Sequence, residues 1–255
     1  MTNPVLTVDK LCKSFGGVHA LRDLTMAIHP GEILGLIGPN GSGKSTTVNV
    51  LTGLLPVTSG EIVLEGETIQ TLPEADRVTR GLARTFQTAS VFPEFSVREQ
   101  VALGCHATLK THPVASVFGS GASREEKQAI AARVSDILQL AGLSSVADHK
   151  VATISAAQQR FLMIATALAA QPKVILLDEP AAGLVAHERA ILCDLIRSIR
   201  EQGTAVLVIE HHMALIMEVC DRIVVLNFGM KIAEGTPLEI RENPAVIDAY
   251  LGEAA

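Results

Sequence analysis

The 255-residue chain has no tryptophan, one tyrosine and seven phenylalanines, so aromatics make up only 3% of it. Hydrophobic residues nevertheless reach 48%, and a core built from Ala, Val, Leu and Ile suits parallel strands covered by helices on both faces. No run approaches the roughly 18 to 20 apolar residues that span a bilayer. The start, "MTNPVLTVDK", lacks a signal peptide's basic opening and apolar middle. These absences predict a soluble, intracellular protein. Cys12, Cys105, Cys193 and Cys220 lie far apart with no Cys-x-x-Cys pair, which argues against zinc and for reduced thiols serving as small buried hydrophobes. Basic residues are also few: the net charge is −6 and the pI near 5.8. No basic face is on offer to a nucleic-acid backbone, so nucleic acid is not an expected partner.

What is present is a strand-and-helix alternation with one interruption. "VLTVDKLCKSF" and "LRDLTMAIHPGEILGLIG" read as β-rich runs with a Pro30-Gly31 turn, and a helical pattern runs from Lys44 to Leu55 before Pro56. "SGEIVLEGETI" reads as a further hairpin. Residues 91 to 152 are poor in β-branched runs and rich in helical ones. Ser123 to Leu140 is the clearest, with Ser123-x-x-Glu126 as a capping box, Ile130, Val134, Ile137, Leu138 and Ala141 on one face, and Gly142 as a stop. Strands "VILLDEP", "TAVLVIE" and "RIVVLNF" then alternate with helices from about Ala186 to Gln202 and from Met213. Such alternation implies right-handed crossovers and a mostly parallel sheet. The expected fold is α/β: a phosphate-loop core with a mostly parallel sheet, an N-terminal antiparallel β region and an inserted helical subdomain. The expected boundaries are 1–90 and 158–240 for the core, 91–157 for the helical subdomain and 241–255 for a tail.

The sharpest motif is Gly38-Pro39-Asn40-Gly41-Ser42-Gly43-Lys44-Ser45, which fits GxxxxGK[ST] between a strand and a helix. Closely spaced glycines let backbone N–H groups converge on phosphates, and the helix N-terminus adds positive potential. Lys44 would neutralise phosphate charge and the Ser45 hydroxyl would coordinate Mg²⁺. The apolar strand Val174–Leu177 ends in Asp178 and Glu179. At the carboxyl edge of a parallel sheet, Asp178 would hold Mg²⁺ through water and Glu179 would polarise the attacking water. His211, after "VLVIE", is placed to reach a γ-phosphate or that water, or else forms a surface pair with His212. Gln87 and Phe15 carry little signal on their own: most glutamines are solvated, and a lone Phe near a turn is more often core than a base-stacking platform.

Taken in order, these elements resemble the ATP-binding subunits of ABC transporters over nearly the whole chain. The resemblance implies that Phe15 stacks on adenine, with Val18 beside it, and that the phosphate loop through Thr46 is the Walker A element. It makes Gln87 the Q-loop glutamine that touches Mg²⁺ and water, and "VILLDEP" the Walker B element with Glu179 catalytic. His211 becomes the switch histidine and Ala182-Gly183-Leu184 the D-loop. "ISAAQQR" takes the signature position, where Ser155, Ala156, Ala157 and Gln158 face the ATP of a partner ATPase. "SFGGVHAL", "RGLARTFQTASVFPEFSVREQVALG" and "GTPLEIRENPAVIDAYLGE" are similar to one ATPase subunit of branched-chain amino acid importers, a group that includes carriers of other small polar solutes.

The implied cofactors are ATP and Mg²⁺. The implied partners are a second, different ATPase chain, two membrane permease subunits and, indirectly, a solute-binding protein, with the chain peripheral on the cytoplasmic face of the membrane. Val91, Phe92 and Phe95 are candidate permease contacts, with subdomain packing as an equal alternative. The sequence departs from the family where it would meet the partner's nucleotide. Both signature glycines are alanine, Phe161 and Thr166 stand where arginine is usual, Val185-Ala186 replace Asn-Pro, and His212 replaces Asp. These changes favour a second reading, a low-turnover or regulatory subunit; a third, a soluble ABC ATPase outside transport, is opposed by the lack of long coiled coils or a tandem cassette. The expectation is that this chain's own site hydrolyses ATP while the opposite site is slowed, and that glycine restored at 156 and 157 raises turnover.

Overall fold

The computed structural model describes residues 3–85, 91–105 and 124–251. Contacts divide it into two units, 1–84 with 173–255 and 85–172. The sequence reading closed the helical unit at residue 157, whereas the second unit runs on to 172. The reason is local: the helix after Ser155 packs within that unit.

The first unit is built on two sheets. Strands β1 (Leu6–Phe15), β2 (Val18–Ile28), β4 (Ser59–Leu64) and β5 (Glu67–Thr68) form an antiparallel sheet in the order β2-β1-β4-β5. The second sheet has the order β10-β9-β3-β8-β7-β6. Its members are β3 (Ile33–Ile37), β6 (Leu82–Thr85), β7 (Val174–Asp178), β8 (Ala205–Ile209), β9 (Arg222–Asn227) and β10 (Met230–Gly235). The β9–β3, β3–β8 and β8–β7 pairs are parallel, and β10 is antiparallel on β9. The expected fold class is therefore observed.

Every residue of β3, β7 and β8 is buried, which is why these strands read as unbroken apolar runs. Alternate residues face opposite ways: Leu34, Leu36, Ala205, Leu207 and Ile209 join the core shared with Leu6, Leu24, Ile28, Val48 and Leu51. On the other face, a Cβ on Gly35 would meet Cys220 Sγ at 3.0 Å and Ile216 at 3.5 Å. None of the four cysteines forms a disulfide; burial pushes the Cys193 thiol up to about 11 and raises that of Cys220, so both behave as the inert hydrophobes expected of them.

Helix α1 (Lys44–Leu51) stops short of the expected Leu55. Thr52 Oγ1 donates back to the Val48 carbonyl at 2.9 Å, and Gly53 turns left-handed at φ 85. The buried guanidinium of Arg77, on α2 (Glu74–Thr79), then donates to the buried carbonyls of Val50 and Leu51 at 2.7 and 2.6 Å. It also donates to Leu72 and Gln70. Burial lowers its pKa, and four carbonyls replace the counter-ion a buried cation would otherwise need.

In the second unit, α3 (Val97–Cys105), α4 (Arg124–Leu140) and α5 (Ala156–Leu168) are the long helices among the described residues. Ser96 and Glu99 cap α3 reciprocally. The amide of Leu143 donates to Leu138 at 2.8 Å with Gly142 at φ 68, closing α4 as its periodicity predicts; Ser123, its proposed cap, lies outside the described residues. Helices α3 and α5 cross so closely that a Cβ on Gly104 would lie 2.1 Å from the Thr166 carbonyl oxygen. Phe92 and Phe95 stack at 5.0 Å with Phe92 exposed.

The first unit closes with α6 (Ala186–Glu201), α7 (Met213–Val219), α8 (Pro237–Glu242) and α9 (Pro244–Leu251). The apolar stripe of α6 runs through Leu192, Leu195, Ile196 and Ile199. Its N-cap is half made, because Glu188 accepts the Val185 amide at 2.9 Å while Val185 offers no acceptor in return. His212 instead caps α7, its Nδ1 accepting the Leu215 amide at 3.4 Å.

Two stability predictions follow from these contacts. Gly104→Ala forces α3 from α5 and costs about 1–3 kcal/mol, read as a lower Tm; an unchanged Tm would show that the crossing is soft. Val185→Ser completes a Ser-x-x-Glu cap and adds about 0.5–1 kcal/mol, read as a higher denaturant midpoint.

Candidate active site

The phosphate loop leaves β3 at Gly38 and enters α1 at Lys44. Two of its glycines are required by their surroundings. A Cβ on Gly43, at φ 107, would lie 2.8 Å from the Ala20 carbonyl oxygen, and one on Gly38 would lie 2.1 Å from that of Leu226. The loop is held from outside as well, since the Gly229 amide, in the β9–β10 turn, donates to the Ser42 carbonyl at 2.9 Å. Lys44 Nζ donates to the carbonyls of Gly38 and Pro39 at 2.6 and 2.9 Å, which folds the ammonium back over the loop.

The same loop tests whether a phosphate group fits. Ser42 Oγ is buried without a hydrogen-bond partner among the described residues, and Ser45 at the start of α1 is exposed. A helix N-terminus, an ammonium and an unengaged hydroxyl make the cradle that an oxyanion needs. Hydroxyl and carboxylate oxygens are also the donors Mg²⁺ prefers, and Ser45 and Asp178 supply one of each.

Asp178 is the last residue of β7 and only 4% exposed, with an ion pair at 2.7 Å from Arg84 of β6, itself 10% exposed. Arg84 also donates to Asn49 Oδ1 of α1 at 2.7 Å. One guanidinium thus joins the phosphate-loop helix to the carboxylate of β7. Sequence reasoning missed this link, because the partners lie 35 and 94 residues away.

Glu179, the next residue, adopts φ 49, a left-handed conformation that is uncommon for a residue with a side chain. Its amide donates to the Ile209 carbonyl at 2.9 Å, and the turn swings its carboxylate out of the sheet to 36% exposure. His211 follows β8 with its ring 69% exposed, Nδ1 lying 3.9 Å from Glu179 Oε1. The order β3-β8-β7 therefore brings the phosphate loop, Asp178, Glu179 and His211 to one edge of the sheet, the carboxyl end where α/β folds bind ligands.

Phe15 and Val18 face each other as the last pair of the β1–β2 hairpin, and both are exposed. Lys13 Nζ sits 4.9 Å from the Phe15 ring centroid. An exposed ring backed by a cation is available for stacking. Gln87 lies outside the described residues.

The signature segment belongs to the second unit. Ser155 caps α5 by accepting the Gln158 amide at 3.2 Å, while the Gln158 side chain accepts the Ser155 amide at 2.9 Å. Ala156 and Ala157 are thus the first two helical residues. The resemblance turns both alanines toward a partner's nucleotide, yet Ala157 is 8% exposed and packed into its own unit, whereas Ala156 is exposed. Phe161 is likewise buried in that unit, an apolar use that explains why arginine is absent there.

Glu210 is a second residue that the sequence reading passed over. It is 1% exposed, and its carboxylate accepts the amides of Ala181, His211 and His212 at 2.7, 3.1 and 3.2 Å. The available signal was an acid closing a fully apolar strand directly before two histidines.

Comparisons with known proteins give the family. The ABC transporter family matches residues 21–182, and a family described as branched-chain amino acid ATP-binding cassette transporter matches residues 230–255. The high-affinity branched-chain amino acid transport ATP-binding protein BraF of Pseudomonas aeruginosa is 40% identical over 255 residues, 100% of both chains. LivG of Escherichia coli K12, described in the same words, is 39% identical over the same span. The lipopolysaccharide export system ATP-binding protein LptB of Escherichia coli K12 is 33% identical over 97% of both chains. Among solved structures, the ADP conformation of MJ1267, an ATP-binding cassette of an ABC transporter, superposes with a TM-score of 0.85 at 29% identity, covering 98% of this chain and 100% of that one. The chain belongs to the ABC transporter family and is an ATP-binding cassette that binds nucleotide and hydrolyses ATP.

Proposed function

We propose that this cassette powers an importer of branched-chain amino acids or a related small polar solute. In that role it sits on the cytoplasmic face of the membrane, bound to two permease subunits and a second ATPase chain. The observation that carries the solute class is the 39–40% identity with BraF and LivG across the full length, against 33% for the lipopolysaccharide export protein. The match of residues 230–255 to the branched-chain family supports the same choice.

Within the site, the backbone amides of Gly38 to Gly43 and the start of α1 receive the phosphates, and Lys44 leaves its carbonyls to meet them. Asn40, Ser42 and Thr46 complete the contacts around the chain of phosphates, and Phe15 with Val18 takes the adenine. Ser45, Gln87 and Asp178 are the residues that would hold Mg²⁺, which when bound neutralises charge on the β and γ phosphates. Glu179 accepts a proton from the attacking water as it approaches in line, and His211 orients the γ-phosphate and that water. The turn at φ 49 supports this reading, because it lifts the Glu179 carboxylate clear of the strand that carries Asp178.

Ser155 to Gln158 faces the partner chain's nucleotide. With Ala157 buried in its own unit, Ala156 is the residue whose methyl meets that nucleotide, and it slows the opposite site. This reading takes up the low-turnover alternative for one site of the pair only. A soluble ATPase outside transport finds no support in the full-length relatives.

Two experiments test the assignment in the complex reconstituted with permeases, partner ATPase and binding protein. Glu179→Gln lowers the ATPase rate by about 100-fold or more while a fluorescent ATP analogue still binds, and a branched-chain amino acid stimulates the wild-type rate; a wild-type rate for the variant, or no stimulation by any such solute, sinks the respective part. Ala156→Gly raises turnover as much as Ala156→Gly with Ala157→Gly, and Ala157→Gly alone only loosens α5 by about 1 kcal/mol. The signature reading is wrong if the double replacement leaves the rate unchanged.

A further inference from the structure

The Glu210 side chain joins the segment after Glu179 to the segment that carries His211. Its Oε1 accepts the Ala181 amide at 2.7 Å, and its Oε2 accepts the amides of His211 and His212 at 3.1 and 3.2 Å. A carboxylate 1% exposed is costly unless its hydrogen bonds are met. Here they are met by backbone amides from two loops, and no Lys or Arg pairs with it among the described residues. Fixing those loops is what the burial achieves.

Two features show that the loops need fixing. Glu179 is left-handed at φ 49, an unfavourable conformation for a residue with a side chain that persists only when its surroundings over-determine it. The tie from its amide to Ile209, directly before Glu210, is one restraint, and Glu210 on Ala181 is the next. The His211 ring, for its part, lies 3.9 Å from both Glu179 Oε1 and Glu210 Oε2. Neither is hydrogen-bond distance, so the restraint seen on His211 is the one on its backbone, which sets the point from which the ring reaches out.

We propose that Glu210 is a positioning residue for ATP hydrolysis, whose buried carboxylate keeps the Glu179 turn and the His211 turn in register on a single γ-phosphate. This rests on the roles assigned above to Glu179 and His211. The carboxylate is suited to the task because both its oxygens are acceptors. Glu210→Gln has the same shape but must point its NH₂ group at one set of backbone donors, which releases either Ala181 or the two histidine amides. The phosphate loop shares none of these bonds, so nucleotide affinity is not affected.

The test is a double-mutant cycle in the reconstituted complex, using Glu210→Gln, His211→Ala and both together, with ATP-analogue binding measured for each. Glu210→Gln is expected to lower kcat about 10- to 100-fold, as a misplacement near 1 Å does, with KM and analogue affinity within about twofold of wild type. In the His211→Ala background the same change is expected to cost at least about threefold less than in the wild-type background, because the part of the loss that runs through His211 is already gone while the part that runs through Glu179 remains. An unchanged kcat for Glu210→Gln, an equal loss in both backgrounds, or a loss of analogue binding that parallels kcat each overturns the proposal. A wild-type rate for His211→Ala overturns the reading beneath it, whereas a slow His211→Ala beside a normal Glu210→Gln overturns this inference alone. If Glu210→Gln lacks a cooperative melt, Glu210→Asp, which keeps both acceptors on a shorter arm, is put through the same cycle under the same criteria.

Discussion

A strand covered on both faces has no room for a polar side chain, and that constraint places the chemistry of this cassette. β3, β7 and β8 are buried along their whole length, so their interiors are Val, Leu, Ile, Ala and one Gly. Polar groups are admitted only where the strands end. Gly38 follows Ile37, Asp178 is the last residue of β7, and Glu210 follows Ile209. Because the three strands are parallel neighbours, these terminal positions fall along one line. The site is the place where burial stops.

What the strand ends bring together is then fixed by backbone more than by side-chain contact. Gly43 and Gly38 are set by carbonyl oxygens that leave no space for a methyl group. Glu179 is turned by its own φ and tied to Ile209. His211 stands where its amide, not its ring, is held. Reorganisation of such a site during a reaction is small, which is the condition under which fixed dipoles stabilise developing charge most effectively.

The parts that were legible in the sequence share a common property: their signal is local. The phosphate loop announces itself because glycines, lysine and serine must follow one another within a single turn. The strand ending in Asp178-Glu179 is an apolar run with an abrupt polar stop, and the stripe on α4 is a period of 3.6. Arg84 and Glu210 could not be read the same way. The partners of Arg84 are brought near only by sheet order, and the role of Glu210 lies in which amides face it. The end of the helical unit was misread for a similar reason, since α5 resembles a core helix until its crossing with α3 at Gly104 is known. The orientation of Ala157 is likewise decided by the phase of α5 and by nothing in the segment "SAAQ" itself.

Arg77 has a wider bearing than its place at the far end of α1 implies. Its guanidinium is held by carbonyl oxygens of Val50, Leu51, Leu72 and Gln70, and it opposes the negative end of the helix whose positive end serves the phosphates. Carbonyls do not titrate, and a guanidinium stays charged at any pH a cell meets even when burial lowers its pKa. The exposed Glu94–Lys150 pair behaves differently: Lys150 holds the Glu94 carboxyl below its usual range, so that pair is present above this range, is lost on acidification and is weakened by salt. The Arg77 anchor responds to neither, so the far end of α1 stays fastened under ionic conditions that loosen the Glu94–Lys150 pair.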